Sequence, residues 1–72
     1  MTAAQLRKYL NEDAPLIIHV GSGRSFRVPH TDYAHLSPNQ KLLVFFDTKD
    51  VVEVIRIASI ESITLGKKQS AA

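Results

Sequence analysis

Between Lys41 and Leu65 the chain carries its densest run of apolar positions, KLLVFFDTKDVVEVIRIASIESITL. Leu42, Val44 and Phe46 fall on one face of an extended strand and Leu43 and Phe45 on the other, because successive strand side chains point to opposite sides. Both faces are therefore apolar. Asp47-Thr48-Lys49-Asp50 interrupts the run with residues that hydrogen-bond their own backbone, and Val51 to Ile57 resumes it, which predicts a hairpin. In the returning strand Val52, Val54 and Ala58 share one side and Val51, Ile55 and Ile57 the other, with Glu53 and Arg56 as its charges. Ser59 to Leu65 predicts a last short strand, with Ile63 and Leu65 on one side and Ser62 and Thr64 on the other. An antiparallel sheet with one wet face alternates apolar and polar residues, so two apolar faces call for a closed barrel, a covering helix or a subunit partner.

Upstream, Thr2-Ala3-Ala4-Gln5 has the form of a capping box, and Leu6, Tyr9 and Leu10 follow at helical spacing. A helix this short is unstable alone and must dock on the sheet. Asn11 to Pro15 ends it. Leu16 to Val20 predicts a strand, Gly21-Ser22-Gly23 a tight turn, and Ser25 to Val28 a returning strand with Phe26 and Val28 inward and Arg27 outward. Pro29 ends that ladder. No period is evident from His30 to Asn39: His30-Thr31-Asp32-Tyr33 reads as a single helical turn capped by Thr31, and Ser37-Pro38-Asn39-Gln40 as a β-turn. Phe26, Phe45 and Phe46 all sit in core patterns. The expected fold is mainly β: an N-terminal helix followed by a five-stranded, strongly bent antiparallel barrel of the Sm or SH3 kind, with helix on sheet as the fallback.

Composition narrows this. At 72 residues there is room for one domain, placed at 1–66, with a polar tail over 67–72. A core of this size rarely contributes more than about 3 to 5 kcal/mol, and with no cysteine there is no disulfide to add to it. Oligomerisation is the remaining route. The formal charge of +2 resides in Lys67 and Lys68, so the body is formally neutral. The opening residues are polar and no apolar run is long enough to span a membrane, so a cytoplasmic location without membrane contact is expected.

Two resemblances arise. Gly23-Arg24-Ser25-Phe26-Arg27-Val28-Pro29-His30, with Asp32-Tyr33 and Ser37-Pro38, resembles a set of short bacterial proteins of unknown function. The order of elements is similar to that of Sm-like proteins of the Hfq type, and Ile57-Ala58-Ser59-Ile60 resembles the tight corner between their last two strands. That resemblance implies subunits paired edge to edge in a ring. The chain lacks the Asp-Asn pair and the Lys-His pair of the family's RNA sites, so the resemblance implies the fold and not the base pocket.

Of the candidate chemistry, His30, Asp32 and His35 form an H-x-D-x-x-H set whose spacing matches no helix face, and His19 reads as the outward residue of its strand. No metal and no cofactor is expected. Ser22, Ser25 and Ser37 belong to no nucleophile motif, so no enzyme is expected either. Arg24, Arg27, His30, Tyr33 and Lys41 are the RNA-binding candidates, as cations with one stacking ring. Val52, Val54, Ile55, Ile57, Ile60 and Ile63 are the oligomer-interface candidates. The expected function is a non-catalytic homo-oligomeric Sm-like protein that binds RNA through a basic patch. The alternative is a structural or adaptor module that binds another protein and no nucleic acid.

Overall fold

A computed structural model describes residues 1–67; of the expected tail, residues 68–72 lie outside the described residues. Among the described residues the protein is mainly β, with one N-terminal helix and six strands in two three-stranded antiparallel sheets. Helix α1 (Ala3–Leu10) starts at the expected capping box: Gln5 N–H donates to Thr2 Oγ1 at 3.1 Å and Thr2 N–H to Gln5 Oε1 at 2.9 Å. Its Leu6 is fully buried.

The first sheet has the order β2-β1-β6, with β1 (Leu16–Val20) between β2 (Ser25–Val28) and β6 (Ile60–Leu65). The second has the order β3-β4-β5, with β4 (Leu42–Phe46) between β3 (Ala34–Leu36) and β5 (Val52–Arg56). The chain passes from β2 to β3 through a 3-10 turn at Thr31–Tyr33, and from β5 to β6 through another at Ile57–Ser59, where the tight corner was expected. Leu16, Ile18, Phe26, Val28, Leu43, Phe45, Ile57 and Ile60 form one core between the sheets, with Leu6 closing it from the helix.

Three expectations are corrected. Among the described residues there are six strands rather than five, in two three-stranded sheets. The additional one, Ala34-His35-Leu36, is too short to show a period and owes its extension to pairing with β4, Ala34 opposite Phe45 and Leu36 opposite Leu43. Thr31 does not cap the first 3-10 turn: His30 does, its Nδ1 accepting from Asp32 N–H at 3.0 Å. The Thr31 hydroxyl instead donates to the Glu12 carbonyl, and Thr31 N–H to Ala14 O at 3.1 Å, which fastens the turn to the segment before β1. Phe46 is not a core residue. Its pairing opposite Val52 places it on the outer face of the second sheet, 42 % exposed.

Candidate assembly edges and basic cavities

The backbone ladder decides which strand groups are left over. Ile57 N–H donates to Lys41 O and Asp47 N–H to Val51 O, so hydrogen-bonded pairs of β4 and β5 fall at the odd residues of β5. Val52 and Val54 therefore direct their N–H and C=O groups away from β4, as Arg56 does its N–H; the Arg56 carbonyl accepts from the Ser59 hydroxyl at 2.7 Å. By the same alternation, Gly66 N–H donating to Pro15 O at 2.8 Å sets Ile63 and Leu65 of β6 with their backbone groups away from β1. Both strands lie at sheet edges.

Their side chains differ. Val52 and Val54 are 51 % and 53 % exposed, beside the exposed Phe46 and Val51. Ile63 and Leu65 are half-buried against the core, and a groove of about 400 Å³ lined by Gln5, Lys8, Tyr9 and Glu12 runs beside Leu65. Of the interface candidates, then, Val52, Val54 and Ile63 reach the open edges. Ile55 is half-buried on the inner face, opposite Leu43, and Ile57 and Ile60 are inside the core of the single chain.

The RNA candidates do not gather into one patch. Arg27 lies on the outer face of the first sheet and lines a groove with Pro15, Pro29 and Thr64. His30 and Tyr33 meet edge to face with centroids 6.5 Å apart, His30 sitting 3.4 Å from Asp32 and 4.0 Å from Asp13. Tyr33 borders an acidic cleft that includes Asp47 and Asp50. Arg24 and Lys41 lie elsewhere. Arg24, its guanidinium 4.9 Å from the Phe26 ring centre, shares a cavity of about 400 Å³ with Arg56; Lys41 shares one of about 650 Å³ with the same Arg56. Neither lining contains a carboxylate.

Arg56 is thus the link that sequence reasoning passed over, because it sits among β5 valines, and only the β4–β5 register places it opposite Leu42, next to Lys41. His35 is exposed on β3, its strand neighbour being Val44. His19 donates to or accepts from Thr64 Oγ1 at 3.0 Å on the outer face of the first sheet. Among the described residues no three His, Cys, Asp or Glu groups stand together as metal ligands, and no helix is long and apolar enough to cross a membrane. No family model matches the chain, and no curated protein or solved structure is significantly similar to it, so its edges and cavities carry the functional reading.

Proposed function

We propose that the chain is a non-catalytic binding module, an Sm-like small barrel, that assembles with copies of itself through β5 and β6 and binds RNA at the cavities flanking Arg56. One observation carries the assembly: β5 and β6 both lie at sheet edges, and the β5 edge sets unpaired backbone groups beside the exposed Val52 and Val54, a combination that invites strand addition unless a partner covers it. The other two edges offer less. β2 directs Ser25 and Arg27 outward and β3 is three residues long. Support for the Sm-like reading comes from the connectivity, in which 3-10 turns carry the chain between the two sheets after β2 and after β5. Support for RNA comes from Arg24, Lys41 and Arg56 lining adjoining cavities without a carboxylate, a setting suited to phosphates.

Light scattering on a sizing column tests the assembly. The expected mass is a multiple of 8.0 kDa, and a monomer overturns the reading. Fluorescence anisotropy with short single-stranded RNA tests the second half, with binding that weakens as salt rises. An intact oligomer that binds no RNA or DNA at low salt leaves a different function, that of an adaptor. The open β5 edge favours that second reading, since an extended segment of another protein can add to it by backbone hydrogen bonds.

A further inference from the structure

The groove beside Arg27 and the acidic cleft beside Tyr33 adjoin, because Pro29 and Thr48 line both. Together they make one channel with two unlike halves. The groove half, about 260 Å³, has Leu16, Ile17 and Val28 in its walls and Arg27 as its one charged side chain. The cleft half, about 470 Å³, has Asp47 and Asp50 as its charges and the rings of Tyr33 and Phe46 in its walls.

The charges of both halves are left over by the fold. Among the described residues the ion pairs are those of His30 with Asp13 and Asp32, so Arg27, Asp47 and Asp50 have no ionic partner there. The β4–β5 turn holds Asp47 in place, its Oδ1 accepting from Lys49 N–H and Val51 N–H, while no described group donates to its Oδ2. Tyr33 is 49 % exposed and Phe46 42 %, and His30 braces the Tyr33 ring edge to face. Two exposed rings beside two unpaired carboxylates suit an organic cation, which the ring faces attract through their quadrupole and the carboxylates through charge.

The Arg27 half calls for the opposite sign. A guanidinium at an apolar wall suits a carboxylate, which it can take in a two-pronged hydrogen bond. Arg27 and Pro29 stand two residues apart, about 7 Å on an extended chain, a span comparable to a Lys or Arg side chain. A ligand with a carboxylate at one end of such a side chain and its cation at the other satisfies both halves. In a free amino acid the α-ammonium would also come beside Arg27 and oppose it; in a peptide that nitrogen is an uncharged amide.

We propose that this channel binds the C-terminus of a partner protein that ends in Lys or Arg, with the cationic side chain between Tyr33 and Phe46 against Asp47 and Asp50, and the terminal carboxylate on Arg27. The channel shares no lining residue with the cavities flanking Arg56, and its ligand needs neither RNA nor self-assembly.

The test is an NMR titration of the full chain with acetyl-Gly-Gly-Arg bearing a free C-terminal carboxylate. Saturable amide shifts are expected at Arg27, Thr48 and Asp50. The same peptide as its C-terminal amide, acetyl-Gly-Gly-Ala and free arginine should each bind about tenfold more weakly or worse, having lost the anion, lost the cation or gained an opposing charge. Three variants at exposed positions separate the halves. Arg27→Ala should bind the acid and amide peptides equally. Asp50→Asn, which keeps a residue tolerant of the positive φ of 62° there, and Tyr33→Ala should weaken the arginine peptide and leave the alanine peptide unchanged.

No shift at about 1 mM peptide, shifts confined to Lys41 and Arg56, or an amide peptide or free arginine that binds as tightly as the acid peptide overturns the proposal. So does full affinity in Asp50→Asn and Tyr33→Ala. Each of these results leaves the RNA and assembly readings standing, and a chain that is monomeric and binds no RNA leaves this site standing.

Discussion

Phe26 on β2 and Phe45 on β4 meet edge to face, with ring centres 5.4 Å apart and planes at 67°, so an aromatic contact joins the two sheets. Phe45 is fully buried and Phe26 nearly so. We expect Phe45→Ala to remove about 3 to 5 kcal/mol through lost burial and the cavity left behind, which is comparable to what a core of this size contributes in all. Urea denaturation reads this directly. A loss under about 1 kcal/mol would mean that the sheets close over the gap.

Proline substitutions distinguish the two sides of β5. The Val54 N–H points to the open edge, whereas that of Ile55 points to β4. Val54→Pro should therefore leave the single chain folded, since edge positions without a ladder bond tolerate proline, and should abolish assembly. Ile55→Pro should unfold the chain. Circular dichroism and solution mass check both, and equal damage from the two substitutions would contradict the ladder assignment.

Thr31 is 3 % exposed, and its hydroxyl holds the Glu12 carbonyl of the segment before β1. Thr31→Val keeps the shape and deletes the donor. The expected loss is about 1 to 3 kcal/mol for a buried polar group deprived of its partner, seen as a lower Tm. His30→Ala removes the acceptor for Asp32 N–H and should cost about 1 kcal/mol. A Thr31→Val protein as stable as the wild type would mean that water replaces the hydroxyl.

Arg24 and Lys41 test nucleic-acid binding without touching the assembly edges. Replacing either by Ala should weaken RNA uniformly across sequences and lower the salt slope by about one, as expected for a phosphate contact. Arg27→Ala, on the outer face of the first sheet and away from both cavities, should leave the slope unchanged. If Arg27 matters and Lys41 does not, the RNA surface lies on the first sheet instead.

Much of the fold is legible in the sequence because local rules act over short distances. Thr2 and Gln5 announce the helix start, Gly23 at φ 84° closes the β1–β2 turn, and Asp47 closes the β4–β5 turn by accepting from Lys49 N–H and Val51 N–H. The alternation in Leu42–Phe46 correctly separated Leu43 and Phe45 from Leu42, Val44 and Phe46. It could not say which of two apolar faces would be covered. Phe46 stays on the outside because Leu43 and Phe45 turn the other face of β4 to the core between the sheets.

By itself, then, the sequence determined the helix, the turns and five of the strands, each from residues within a few positions of one another. The tertiary structure decided what depends on pairing across the chain. It extended Ala34–Leu36 along β4, drew the Thr31 hydroxyl to Glu12, and buried Ile57 and Ile60 where an interface had been expected. It also set the parity of the open edges and brought Arg56 beside Lys41. These are matters of register, and register is fixed by which partner strand supplies the hydrogen bonds and which face meets the core, neither of which is written within a single strand.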